Sequence, residues 1–144
     1  MPGAAGSCVF CGIVKGEHRA HVVLDTAEAL AFLDSRPLLK GHTLLVPKEH
    51  HQTLPELPPE LLAPLFGHAQ RLAAAMEEAL GAAGSFVAMN NRVSQSVPHL
   101  HVHVVPRNRK DGLRGFFWPR VQYASEEEAA DYAARLREAL RGPR

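Results

Sequence analysis

Apolar positions change period along this chain. Val22-Val23-Leu24 and Ala29-Leu30-Ala31-Phe32-Leu33 are short apolar runs. The polar Asp25-Thr26-Ala27-Glu28 between them suits a turn. They predict a strand over Val22–Asp25 and its hairpin partner over Ala29–Leu33. Asp34-Ser35-Arg36-Pro37 breaks the run, and His42 to Val46 reads as a third strand ended by Pro47. From Glu60 to Leu80 the period becomes helical, with Leu61, Leu62, Leu65, Phe66, Ala69, Leu72, Ala73, Met76 and Leu80 recurring on one face. Pro59 suits a first turn, but Pro64 lacks an N–H, so this helix must kink or begin late. Gly81 and Gly84 supply its stop.

Ser85 to Met89 is expected as a fourth strand, Asn90 to Gln95 as a polar loop and Ser96 to Pro106 as a fifth strand. A short amphipathic piece, Phe10 to Lys15, precedes them all, and an irregular basic and aromatic stretch, Arg107 to Pro119, follows them. Ser125-Glu126-Glu127-Glu128 is a capping box. It opens a second helix to Leu140 with Tyr132, Leu136 and Leu140 on one face. Strands and helices in this order imply an α+β fold with an antiparallel sheet. Residues 1–7 read as a flexible tail and residues 8–144 as one domain ending in a helix.

The fifth strand carries the chemistry. In His99-Leu100-His101-Val102-His103-Val104, side chains alternate between faces. The three imidazoles line one side, and Leu100, Val102 and Val104 line the other. No helical face collects positions i, i+2 and i+4. Neutral imidazole is a nucleophile, a proton shuttle and a metal ligand near pH 7, so both a catalytic and a metal-binding face fit this pattern. His18 and His21 read as solvated.

Composition narrows the function. A chain of 144 residues with net charge +1 has no electrostatic case for nucleic-acid polymers or a membrane surface. No apolar run approaches the roughly 20 residues of a membrane span, and Met1–Ser7 lacks the pattern of a signal peptide. The chain reads as cytoplasmic. Its two cysteines form a single C-x-x-C, Cys8 and Cys11. That spacing fits a metal half-site, a redox pair or two inertly packed thiols. Val9 and Phe10 between the sulfurs do not suit an exposed redox loop.

The strand His99-Leu100-His101-Val102-His103-Val104-Val105 resembles the His-x-His-x-His-x-x signature of the histidine triad (HIT) superfamily of nucleotide hydrolases and transferases. Cys8 to Val14 with Gly16-Glu17, Ala31-Phe32-Leu33-Asp34, Gly41 to His50, Asn90 and Gln95-Ser96-Val97-Pro98 are similar to family segments in consistent order. The stretch Asp111 to Arg120 is similar to bacterial members. Ser94 departs from the family's usual Gly before Gln95. Leu33 stands where some members carry His, and the loop Asn90 to Ser94, which includes Arg92, is short.

The resemblance implies a five-stranded antiparallel sheet with one long central helix and a C-terminal helix, joined into a continuous sheet across a homodimer. It implies attack by His101 on a nucleotide α-phosphate through a nucleotidyl-histidine intermediate, with His103 and Ser96 assisting and no metal needed for the chemistry. Adenosine phosphoramidates or related purine nucleotides are the implied substrates. A dinucleoside polyphosphate hydrolase or phosphorylase and a non-catalytic nucleotide-binding module are the alternatives. Phe10, Ile13, Phe32 and Leu44 would form the base slot and Asp34 would bind the ribose. Asn90, Gln95, Ser96, His101 and His103 would surround the phosphate. For the four apolar residues plain core packing, and for Asp34 a turn, are the competing readings. In the C-x-x-C-bearing branch, Cys8, Cys11, His50 and His99 resemble a structural zinc site, with His51 as the alternative to His50.

Overall fold

The structure is a computed structural model that describes residues 7–113 and 120–142. The chain divides into two compact units, Met1–Asp111 and Gly112–Arg144.

The first unit opens with α1 (Val9–Val14), then β1 (Val22–Asp25), β2 (Ala29–Leu33) and β3 (Thr43–Pro47). Two single 3-10 turns lead into α2 (Leu62–Leu80), followed by β4 (Gly84–Ala88) and β5 (Val102–Arg107). The five strands form one sheet in the order β1-β2-β3-β5-β4, and every neighbouring pair is antiparallel. β1 and β4 are its edges.

Alternation along the strands sorts side chains into two layers. Ala29, Ala31, Leu45, Leu100, Val102 and Val104 share a core with Leu65, Ala69, Leu72 and Met76 of α2. Leu30, Phe32, Leu44 and Val46 point the other way and pack with Cys8, Phe10 and Cys11 from the α1 segment. One face of the sheet thus belongs to the long helix. The other belongs to α1 and, as shown below, to the histidines.

The long helix begins late rather than kinking. A 3-10 turn over Pro59–Leu61 precedes it, so Pro64 is the third residue of α2, where the missing N–H has no helical acceptor anyway. Gly81 ends it at φ 65°, ψ 23°, and Ala82 N–H reaches back to the Met76 carbonyl at 3.3 Å. Gly81 N–H donates to the same carbonyl, and this closure requires the left-handed residue that glycine supplies.

The fifth strand is shorter than its sequence pattern predicts. It spans Val102–Arg107, not Ser96 to Pro106. Before it the backbone bonds elsewhere: His99 N–H donates to the Val97 carbonyl at 2.8 Å and Leu100 N–H to the His51 carbonyl at 2.7 Å. Pro98 has no N–H to give a ladder. Only His103 of the three histidines therefore lies within a strand. The alternation of side chains nevertheless continues outward through residues 99–101.

The second unit contains α3 (Glu126–Leu140). Ser125 caps it, its hydroxyl accepting from Glu128 N–H at 3.1 Å. The Glu128 carboxylate accepts from Ala124 N–H at 2.7 Å, which completes the expected box one residue earlier than Ser125 itself. On the expected apolar face, Tyr132 lies under the Arg135 guanidinium, while Leu136 and Leu140 are exposed. The aromatic residues Phe116, Phe117 and Trp118, and the first six residues of the predicted tail, fall outside the described residues.

Candidate active site and metal-ligand cluster

Four elements converge beside β5. α1 brings Cys8, Phe10 and Cys11. The segment after β3 brings His50, the start of β3 brings His42, and residues 99–103 bring the three histidines.

The four predicted metal ligands lie together. Cys8 Sγ is 3.4 Å from His99 Nδ1, Cys11 Sγ is 3.5 Å from the same nitrogen, and Cys11 Sγ is 3.2 Å from His50 Nδ1. All four donor atoms lie within 4.8 Å of one another. Zinc bonds of about 2.3 Å to sulfur and about 2.0 Å to nitrogen imply sulfur–nitrogen edges of about 3.5 Å in a tetrahedron. The donor set and its spacing fit such a cation. The other nitrogen of His99 donates to the Pro47 carbonyl at 2.9 Å, which orients the ring with Nδ1 toward the thiols. His50 Nε2 is buried with no hydrogen-bond partner. His51 turns away to the Glu49 carboxylate at 3.0 Å, so His50 is the residue placed to ligate. Burial, with Cys8 beside it, pushes the Cys11 thiol up to about 11 in the absence of a cation. A bound cation acts in the opposite direction and favours the thiolate.

The middle histidine is held by the main chain. His101 is 3% exposed, and its Nδ1 lies 2.7 Å from the His99 carbonyl. A carbonyl only accepts, so Nδ1 carries the proton. Burial holds the His101 ring below its usual pKa and therefore neutral at pH 7. A neutral ring with its proton on Nδ1 has a bare lone pair on Nε2. Phe10 meets this ring edge-on, with centroids 5.1 Å apart.

His103 stands beside it, ring centroids 5.0 Å apart. Burial, helped by His101 and His42, depresses His103 to about 4. Its Nδ1 is 2.9 Å from Nε2 of His42, a buried ring also held below its usual pKa by burial. His42 is the residue that sequence reasoning missed. The sequence pattern marks it only as the start of the third strand, although its place between Gly41 and Thr43 lies inside a segment similar to the family's. Asp34 Oδ2 lies 3.7 Å from His42 Nε2, and its other oxygen accepts from Arg36 N–H at 2.9 Å. Asp34 therefore both shapes a turn and faces the histidines.

Asp34, His42 and His103 resemble a second metal triad by distance alone. Their hydrogen bonds argue against it. Leu38 N–H donates to His42 Nδ1 at 3.0 Å, so the His42 proton sits on Nε2, the atom a metal would need bare.

Phe10, Phe32, Leu44 and Ile13, the expected base slot, form one apolar cluster. Phe10 and Phe32 meet edge to face at 5.4 Å. The loop residues are tied to one another. Gln95 accepts from Arg92 N–H at 2.8 Å and donates to the Gln52 carbonyl at 2.7 Å. Asn90 donates to the Ser94 carbonyl at 3.2 Å. Ser96 is exposed and lines a cavity of about 190 Å³ with Ser7, Cys8, Val9, His50, Val97 and Pro98. Ser94 and Arg92 adopt φ of 61° and 71°.

An antiparallel five-stranded sheet that presents neutral histidines beside a Cys₂His₂ cluster defines a class of histidine-based α+β protein. The HIT domain matches residues 15–110, and this chain belongs to that family. It is 37% identical over 123 residues to adenosine 5'-monophosphoramidase hnt1 of Schizosaccharomyces pombe, covering 84% of this chain and 90% of that one. A Streptococcus mutans crystal structure superposes with TM-score 0.85 at 33% identity, covering 97% of this chain and 89% of that one. A zinc-bound histidine triad protein of Mycobacterium smegmatis superposes with TM-score 0.73 at 38% identity, covering 94% of this chain and 99% of that one.

Proposed function

We propose that this chain is a nucleotide hydrolase or nucleotidyl transferase that works through a nucleotidyl-histidine intermediate on His101. Adenosine phosphoramidates, or related purine nucleotides, are its substrates. The observation that carries this reading is the bond between His101 Nδ1 and the His99 carbonyl, which leaves a neutral imidazole with an unprotonated Nε2 beside a second histidine.

The first step forms a bond from His101 Nε2 to the α-phosphorus and breaks the bond from phosphorus to the leaving group. The leaving amine takes a proton, for which the Ser96 hydroxyl is the candidate donor. In the second step water adds to phosphorus and gives up a proton, which restores the Ser96 hydroxyl, the P–N bond to His101 breaks, and the nucleotide leaves. Imidazole suits both steps because it attacks without a strong base and departs readily. His103 donates to a non-bridging phosphate oxygen as charge builds there. Asp34 accepts from the ribose hydroxyls, Phe10, Ile13, Phe32 and Leu44 hold the base, and Asn90 and Gln95 border the phosphate. The fission-yeast relative, named an adenosine 5'-monophosphoramidase, supports this substrate class.

Cys8, Cys11, His50 and His99 would hold a structural zinc, as the Cys₂His₂ spacing and the zinc-bound mycobacterial neighbour support. The metal would pin the α1 segment and the segment after β3 to the residue preceding His101 by two. We also propose a homodimer with a sheet continuous across the two copies. The two edge strands, β1 with Val22 and Val23 exposed and β4 with Val87 exposed, are the strands available for that pairing.

Rapid-quench intact-mass spectrometry with an adenosine phosphoramidate tests the chemistry. A transient mass increase of one adenylyl group, absent from His101→Ala, is expected. Neither adduct nor product would overturn the hydrolase reading in favour of a binding module.

A further inference from the structure

The two histidines that face the reaction carry their protons on opposite nitrogens, and the backbone assigns both. His101 receives its assignment from an acceptor, the His99 carbonyl at 2.7 Å, which takes Nδ1–H. At the other end a donor begins the chain. Leu38 N–H lies 3.0 Å from His42 Nδ1 and occupies that nitrogen's lone pair. A neutral His42 must then hold its proton on Nε2. That Nε2–H lies 2.9 Å from His103 Nδ1 and donates to it. A neutral His103 must in turn hold its proton on Nε2.

We propose that the backbone N–H of Leu38 is a positioning group for the reaction, acting through His42 to make His103 a hydrogen-bond donor at Nε2. The result is a matched pair: His101 Nε2 bare, and His103 Nε2 protonated. Were the Leu38 N–H missing, His42 could turn over its proton assignment, and His103 could then carry Nδ1–H and present a lone pair to the phosphate. Two lone pairs facing an anionic phosphoryl group would repel it at the stage where a donor matters most. The side chain of Leu38 takes no part, since it is 48% exposed and only its amide is used.

This inference rests on the hydrolase reading for its consequence in turnover, but not for its tautomers. Long-range ¹H–¹⁵N spectra of the full chain at neutral pH report which ring nitrogen of each histidine bears the proton. In the native protein and in Leu38→Ala, which keeps the amide, Nε2–H is expected for His42 and His103 and Nδ1–H for His101. In Leu38→Pro, which removes the amide hydrogen and sets the ring Cδ in its place against His42, His103 is expected to shift toward Nδ1–H while His101 stays as it was. The value of kcat should fall by about 10²-fold with KM nearly unchanged, the scale of losing one transition-state donor.

Should the proline variant not fold, His42→Phe decides, because it keeps a ring in place but removes the donor to His103. The same shift at His103 is expected. Native His103 found with its proton on Nδ1, or His103 unaltered in these variants, overturns the assignment. A native chain with the expected spectra but no turnover of any nucleotide refutes the hydrolase reading alone.

Discussion

The carbonyl of His99 accepts the Nδ1 proton of His101 at 2.7 Å, while the ring of the same His99 points Nδ1 at the Cys8 and Cys11 thiols. One residue thus faces the metal-ligand cluster with its side chain and the proposed nucleophile with its backbone. His99 has no exposed surface, so neither contact can be replaced by water without rearranging the core.

His101→Ala should abolish turnover, by on the order of 10⁴-fold or more, as expected for removal of a nucleophile. His101 packs against Phe10, so some stability should also be lost, and thermal unfolding separates the two effects. A variant that stays folded and retains native turnover would exclude His101 as the nucleophile.

One zinc per chain is expected by elemental analysis of native protein, and none in Cys8→Ser/Cys11→Ser. A ligand at about 100 times its Kd stabilises by about 2.7 kcal/mol. For a chain of this size that corresponds to a Tm loss of roughly 10 °C on chelation. Native protein with no zinc, or a Tm indifferent to chelator, would refute the site.

Stability should fall on acidification because of His103. Its folded pKa is depressed to about 4 by burial, with the rings of His101 and His42 adding to it and Asp34 opposing. An unfolded histidine titrates near 6.5. Above about 6.5 both states are neutral and the full stability is present. Between 6.5 and 4 the unfolded chain binds a proton that the folded chain does not, so stability falls with pH. Below 4 both are protonated, and this contribution stops changing. Urea unfolding of native protein and His103→Gln across this range isolates the effect: the native slope should be the steeper. Equal slopes would show that His103 is not held neutral.

Ser94→Gly should stabilise the fold. Ser94 sits at φ 61°, the left-handed region that costs an L-residue about 1–2 kcal/mol. Part of the relief is lost to the greater freedom of glycine in the unfolded chain. The net expected gain is about 0.5–1 kcal/mol, read from the urea midpoint. Destabilisation would show that the serine side chain holds the loop.

The sequence by itself determined the local elements. Short apolar runs bounded by turn residues placed four strands within a residue or two, and the period-3.6 run placed α2. The capping box placed α3, because its signals are short-range and lie next to one another in the chain. Local pattern misjudged β5, whose first predicted residues bond to Val97 and His51 instead of a strand, since pairing is decided by what lies alongside. That Cys8, Cys11, His50 and His99 come together was legible only through resemblance. Cys11 and His50 are 39 residues apart and Cys8 and His99 are 91 apart, and no spacing rule joins residues across such intervals. The tertiary structure alone set His50 beside the Cys11 thiol and turned His51 to Glu49. It alone brought His42 to His103 and set Leu38 N–H and the His99 carbonyl at opposite ends of the histidine array. A histidine's chemistry depends on which nitrogen holds its proton, and that choice belongs to whatever backbone group folding places beside the ring.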